Sequence, residues 1–527
     1  MINKLLLYIL LLGLFVINPS SHVRSQPVQL PLNHWIYSFL ERLELRGALP
    51  SQYYRSLPLY RTEIADLIRS ADERVRSGSV TLSQTEIDLL EKAKGEMVNE
   101  LEGKGVSINQ KEYEHHLLRW REENSYLFFD GYFMEDAHAE KKNYQKTLKN
   151  YYHTTGGGII RGVVVGKVGF YLDFSNTLIK GENISQENFM ASRGFPITIS
   201  GRNSYSSQTH AYFTYHGKWG GVMVGRDDLN WGPGYRNNLS LSTNGSVFDQ
   251  VRLNFIFKRF KFTSVSGTLH SDIAQKNIAA HRIEVRITRS LLIGANETVI
   301  YGRRGWKLIY VNPIMPYHIA EAHAGDKDNN TLSADFQFQL KYSLKIYGEL
   351  FIDDFSLSEN WIRYYGNKFA FVIGGFYANP FKLPDTDIRI EYTRLEPYVY
   401  THNDPINTYT NYNQILGSPL GPNSESIYVE AAHRINRPFK ILGSYELRRH
   451  GKGDINTPHR YEDGTRKYFL KGTVEALHIY RGGFSYELYR DLYISLDYQH
   501  IRYSNENRIQ GRNGKNNLFY MIMYFNY

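Results

Sequence analysis

"SLKIYGELFID", residues 343–353, sorts its side chains by parity. Leu344, Ile346, Leu350 and Ile352 occupy one set of alternate positions; Lys345, Tyr347, Glu349 and Phe351 occupy the other. A period of two describes a β-strand with different neighbours on its two faces. The pattern returns in "HRIEVRI" (281–287), where Ile283, Val285 and Ile287 alternate with Arg282, Glu284 and Arg286. It returns again in "DLYISLDYQ" (491–499), where Leu492, Ile494, Leu496 and Tyr498 alternate with Tyr493, Ser495, Asp497 and Gln499. A soluble sandwich turns the apolar set inward against a second sheet, whereas a transmembrane barrel turns it outward to lipid.

Connection lengths separate these two readings. From 125–134 to 517–527 we read about eighteen strand candidates, a number within the range of outer-membrane barrels. Their connections alternate between short ones, such as Gly166-Lys167, "HGK" (216–218), "NRP" (436–438) and Arg490-Asp491, and long ones at 178–207, 228–250, 302–330, 397–425 and 450–478. An up-and-down barrel with tight periplasmic turns and long external loops produces that alternation; a sandwich has no reason to. In the last stretch, "NLFYMIMYFNY" (517–527), Phe519, Met521, Met523, Phe525 and Tyr527 form an apolar stripe ending on an aromatic. Such a strand is the expected assembly signal for the barrel-assembly machinery. The expected fold is an all-β transmembrane up-and-down barrel of about 18 antiparallel strands with a small N-terminal α-helical periplasmic region.

Composition agrees. Tyrosine (42 residues) outnumbers Phe (28) and Trp (6), yet the mean hydropathy is −0.45, polar for so aromatic a chain. Amphipathic rings in a polar chain suit a water–lipid boundary or a carbohydrate surface. The formal charge of +9 is a weak bias among 62 basic and 53 acidic residues and gives nucleic-acid binding no support. There is no cysteine, which excludes a disulfide framework, a cysteine–zinc site and a cysteine nucleophile.

Residues 1–25, a basic start, an apolar run and small polar residues, have the plan of a secretory signal peptide. No later stretch offers the roughly 18 consecutive apolar residues of a membrane-spanning helix. Residues 26–122 read as helical. In "NHWIYSFLERLELRG", Ile36, Phe39, Leu40 and Leu43 share a face and Gly47 is the stop. A second helix is predicted over "TEIADLIRSADERVRS", and a third opens at Ser83 with Glu86 at capping-box spacing. The barrel is expected over 123–527.

The chain resembles the Wzi family of capsule assembly proteins. The resemblance rests on "HWIYSFLERLELRGAL" (34–49), "GRDDLNWGPGYRNNLSLS" (225–242), "YGRRG" (301–305), "NPIMPYH" (312–318) followed by "DKDNN", "YGELFIDDF" (347–355) and "LGSPLGPNS" (416–424), in that order. It implies an 18-stranded barrel of the Gram-negative-type outer membrane with a periplasmic helical part. It also implies a surface lectin that holds capsular or related exopolysaccharide, not an enzyme. The alternative is a channel for oligosaccharides or small solutes, since a barrel of this size can enclose an aqueous lumen. The expected partners are surface polysaccharide, outer-membrane lipid and the assembly machinery, without nucleic acid or a cofactor.

Candidate binding residues come from physical inference. Trp231 and Tyr235 could stack on sugar C–H faces beside Arg236, with Gly232, Pro233 and Gly234 holding the ring exposed; alternatively Trp231 plugs the barrel mouth. Arg303 and Arg304 could pair with uronate carboxylates while Trp306, Tyr310 and Tyr317 stack; alternatively this loop is itself a plug. The aromatic and proline content of 228–250 and 302–330 favours both loops folding inward. His318, His323, Glu321, Asp326 and Asp328 lack metal-site spacing. Asp227-Asp228 and Asp353-Asp354 are adjacent on the chain and do not form an acid/base pair. No catalytic arrangement stands out.

Overall fold

The computed structural model describes residues 28–526 apart from 123, 144–147, 182–196, 201–202, 218, 326 and 342, with only the backbone of 197–200. The expected leader and Tyr527 lie outside the described residues.

The chain opens with helices α1 (Ile36–Leu45), α2 (Arg61–Arg76), α3 (Gln84–Glu96) and the single turn α4 (Val98–Leu101). Gly47 follows α1 at φ +73°, a left-handed conformation that lets the chain reverse where the sequence predicts a stop. At α3 the Ser83 hydroxyl accepts the Glu86 N–H (3.1 Å) while the Glu86 carboxylate accepts the Ser83 N–H (2.9 Å), closing the expected capping box. The helices share a core that includes Ile36, Leu40, Leu43, Ile64, Ile68, Leu90 and Met97.

Eighteen antiparallel strands then close into one barrel. They are β1 (Ser125–Lys142), β2 (Lys149–Val164), β3 (Val168–Gly181), β4 (Asn203–Gly217), β5 (Gly220–Asp227) and β6 (Phe248–Phe257). Next come β7 (Phe260–Leu269), β8 (Lys276–Arg286), β9 (Leu291–Gly302), β10 (Asn329–Leu340), β11 (Leu344–Asp354) and β12 (Lys368–Ala378). The last are β13 (Thr386–Leu395), β14 (Ser424–Arg434), β15 (Phe439–His450), β16 (Glu475–Tyr489), β17 (Leu492–Ser504) and β18 (Gly514–Asn526). β18 pairs with β1 from Asn516↔Lys142 to Asn526↔Tyr132, which leaves no free sheet edge between them. Every predicted strand is present. β1 and β2 run further than expected, because beyond Met134 they continue as a polar hairpin ("EDAHAEKK" against "KNYYHTT") with no apolar face to reveal it.

The faces are inverted relative to a soluble sheet. In β11, Ile346 and Leu350 are exposed on the exterior, while Lys345, Tyr347, Glu349 and Phe351 are buried inside. On β18, Phe519, Met521 and Phe525 are likewise exposed outside. An apolar exterior closed on itself belongs in a bilayer. No helix among the described residues is long and apolar enough to cross a membrane; the strands do the crossing.

The helical module spans the short-turn end of the barrel through charged contacts. Lys92 Nζ reaches Glu487 (2.5 Å) and donates to the Tyr493 hydroxyl (2.6 Å), Arg389 donates to Glu41 (2.7 Å), and Arg42 pairs with Asp387. Burial alone would push the Glu41 carboxyl up, but Arg389, Lys345 and Arg55 hold it well below the usual carboxylate range. Between α1 and α2 the chain enters the barrel, and Ser56–Leu57 forms a short antiparallel pair with Asn230–Trp231.

Candidate functional site

Loop 228–247 folds into the lumen and meets that inserted segment. Ser56 lies opposite Trp231, and Gly232 N–H donates to Arg55 O (3.3 Å). Trp231 has no exposed surface and packs with Leu239, Leu241, Tyr347, Phe351, Tyr400 and Leu416. An exposed, sugar-stacking Trp231 is therefore corrected: its ring is the centre of a plug, because apolar side chains from two loops and the wall converge on it. The glycines serve this packing. Gly232 sits at φ +113°, and a Cβ at Gly234 would come within 1.8 Å of Asn237 O.

Two wall carboxylates fasten the loop backbone. Glu391 accepts the N–H groups of Tyr235 (2.7 Å), Arg236 (3.1 Å) and Asn237 (2.9 Å), together with the Tyr347 hydroxyl (2.9 Å). Glu349 accepts from Leu239 (2.9 Å) and Ser240 (3.2 Å). Loop 397–423 lies against it, with Tyr400 Oη donating to Leu239 O (2.6 Å) and Tyr409 Oη to Ser240 O (3.0 Å). Tyr235 and Arg236 keep some exposure inside the barrel, but both are engaged. Tyr235 Oη donates to Glu430 (2.9 Å), and Arg236 lies 3.4 Å from Glu446.

Loop 303–328 does the opposite of what its composition suggests. Its helices α5 (Leu308–Val311) and α6 (Tyr317–Ala324) lie against the barrel's outer surface. The parity of β8 and β9 makes this clear: Ile278, Ala280 and Ile300 pack in the lumen with Trp231, whereas the alternate residues Ala279, Val299 and Tyr301 pack with Tyr310 and Tyr317. The expected inward fold of 302–330 is corrected accordingly. The cause is a carboxylate on the outer face. Glu297 accepts the N–H groups of Tyr317 (2.8 Å) and His318 (2.6 Å) and lies 3.1 Å from His281. Tyr310 and Tyr317 are fully buried in this flap and unavailable for stacking. Arg304 pairs with Asp328, which also accepts the Tyr310 hydroxyl (2.6 Å), and Trp306 donates to Thr268 Oγ1 (3.2 Å) while remaining partly exposed. Arg303 is exposed, 3.0 Å from Asp404, whose carboxyl that hydrogen bond holds below its ordinary value.

The structure thus splits the eight sequence candidates between a lumen plug and an outer flap. Rings more exposed than any ring among these eight come from elsewhere at the long-loop end. Loops 355–367 and 451–474 are joined into one ledge by Lys467 N–H to Arg363 O (2.8 Å) and Tyr365 N–H to Thr465 O (3.2 Å), with Tyr365 stacked on His459 at 3.5 Å. Trp361 (59 % exposed), Tyr461 (101 %) and Tyr468 (55 %) project from it beside exposed Arg363, Arg460, Arg466 and Lys471. The stretch "HRYEDGTRKYF" (459–469), in which rings and cations cluster on either side of an acidic turn, carries this signal without a Gly-Pro run like that beside Trp231.

His318 and His323 are exposed and do not converge with Asp328. Two other donor sets do come within metal-ligand reach of each other: Asp136, His138 and His153, and His210, Asp227 and Asp228. In the first, His138 Nε2 lies 2.6 Å from Asp136; in the second, Asp227 already pairs with Arg252 at 2.8 Å.

The model of the family described as capsule assembly protein Wzi matches residues 137–518. The chain belongs to the Wzi capsule assembly family. It is an outer-membrane β-barrel. Among solved structures, Wzi of Escherichia coli, described as an outer-membrane protein involved in group 1 capsule assembly and a carbohydrate-binding β-barrel, superposes with a TM-score of 0.60. That match covers 95% of this chain and 99% of the other at 12% identity, and shows the fold. OprD of Pseudomonas aeruginosa (TM-score 0.43, 11% identity, 76% and 93% covered) and a BenF-like porin of Pseudomonas fluorescens Pf-5 (0.46, 8%, 76% and 98%) also align. No curated protein matches the sequence.

Proposed function

We propose that this Wzi-family barrel binds capsular or related exopolysaccharide on its external face and retains it at the cell surface. The observation that carries the reading is the ledge: Trp361, Tyr461 and Tyr468 exposed beside cations on two loops that brace each other. Exposed rings stack on sugar faces, guanidinium and ammonium groups take acidic substituents, and a braced ledge has little left to order on binding. A polymer touching several such sites leaves slowly even when each is weak. The carbohydrate binding ascribed to the Escherichia coli protein supports the same reading. The plug built on Trp231 disfavours the solute channel. On this view the helical module at the short-turn end is periplasmic, residues 1–25 direct export, and the C-terminal strand ending at Tyr527 engages the assembly machinery.

The test is pull-down of the detergent-solubilised protein by its own cell's purified surface polysaccharide. Wild type is expected to bind, and Trp361→Ala/Tyr461→Ala to lose most binding while keeping the heat-modifiable gel mobility of a folded barrel. Undiminished binding by that variant would remove the ledge from the proposal. Absence of binding by wild type would remove retention altogether.

A further inference from the structure

The flap covers a patch of exterior wall that a bilayer would reject. Ser264, Thr268, His281, Glu297 and Asn330 all stand on the outer parity of β7–β10, the parity that elsewhere carries Phe255, Ile283, Ile293 and Phe336 to the exterior surface. A carboxylate facing hydrocarbon is expensive. Here the backbone of α6, His281 and the Asn330 side chain (3.1 Å) supply its partners.

The flap's own outer side sets large apolar residues among exposed Lys307, Asn312, His318 and His323. Leu308 is 82 % exposed, Ile314 is 83 % exposed, and Ile319 is half exposed. Between the flap and the wall lies a cavity of about 480 Å³. It is walled by Phe255, Phe262, Ile283, Pro313, Ile314 and Pro316, with the His281–Glu297 pair also lining it. Two of its walls, Phe255 and Ile283, are themselves exposed on the barrel exterior, on the face that also carries Ile293.

We propose that the flap is embedded in the membrane and that this groove holds one hydrocarbon chain of an outer-membrane lipid. Three observations select that occupant. The walls are mostly apolar, and Phe255 and Ile283 among them belong to the exposed exterior face. An unfilled groove would forfeit dispersion contacts along both walls. Its volume lies within the range of about 300–1,000 Å³ seen for small-ligand sites. The lipid becomes a third layer of the wall, clamping the flap against the charged patch it shields. This assignment is independent of the polysaccharide reading.

The absence of cysteine makes the depth directly measurable, because one introduced thiol is the only label site. Nitroxides are placed at Ile314→Cys, at Leu332→Cys on the exposed wall and at Tyr461→Cys on the ledge, in full-length protein reconstituted into phosphatidylethanolamine/phosphatidylglycerol vesicles. The label at 314 is expected to match 332, open to oxygen and closed to a water-soluble nickel chelate; matching 461 would overturn membrane embedding. Native mass spectrometry after detergent exchange then counts retained lipid. Wild type is expected to keep one lipid per barrel and Ile314→Trp, which fills the groove, to keep none, with the variant retaining the heat-modifiable mobility of wild type. Equal retention by the two, or occupation by a second copy of the chain, would overturn the lipid site.

Discussion

Loops 228–247 and 303–328 begin at the same end of the barrel, both carry rings and proline, and finish on opposite sides of one wall. Each exposes backbone N–H groups that need acceptors, and each is drawn to buried carboxylates. Glu349 and Glu391 stand on the inner parity of β11 and β13 and draw the first loop inward. Glu297 stands on the outer parity of β9 and draws the second outward. A shift of one residue along a strand exchanges the two faces, so the side on which a loop lies follows from the pleat more than from the loop's own composition.

The largest effect should come from the buried ring. Trp231→Ala is expected to cost about 3–5 kcal/mol, the range for deleting a large core aromatic, whereas Trp306→Ala, partly exposed on the flap, should cost much less. The temperature at which heat-modifiable mobility is lost checks both, and similar losses would break the contrast between plug and flap.

Next come the anchoring carboxylates. Removing one strands buried N–H donors at about 1–3 kcal/mol each. Glu391→Ala should loosen the plug and raise single-barrel conductance in planar bilayers. Glu297→Ala should instead leave conductance unchanged and open 303–328 to protease. A conductance rise in Glu297→Ala would show that the flap also closes the lumen.

A smaller effect concerns pH. Glu41 is depressed by Arg389, Lys345 and Arg55, so its contribution to module docking is complete above the ordinary glutamate value of about 4.3 and is lost only as pH falls below it. Protease sensitivity of the helical module should stay flat from neutral pH to that point and rise below it, and Glu41→Gln should reduce the acid-dependent step. Smallest of all, Arg303→Ala breaks an exposed pair and should leave the unfolding temperature unchanged.

Much of this molecule was legible in its residues. The alternation in 343–353 and its repeats located the eighteen long strands but not the short strand Leu118–Glu122, which pairs with β1 inside the stretch read as helical. Gly47 and the Ser83/Glu86 box placed helix ends where they form. The site was legible only in part. Glycine and proline beside Trp231 are a sound signal for a fixed loop but silent on whether the fixed ring faces water. Trp361, Tyr461 and Tyr468 carry a weaker signal, with Pro458 and Gly464 flanking Tyr461 at a greater distance than Gly232 and Pro233 flank Trp231. Glu297 was visible too: on the strand 291–302 it shares parity with Ile293, and a charge on an apolar face calls for a cover.

What the amino-acid order determined by itself was the barrel, because alternation acts between near neighbours and each strand states its own faces. Only the tertiary structure decided which loop fills the lumen, which lies outside and which rings remain free. The plug depends on acceptors and apolar partners more than a hundred residues away, such as Glu349 and Tyr400 for Leu239. Even the flap, whose anchor Glu297 is about twenty residues off, takes its side from a wall that exists only once the barrel has closed.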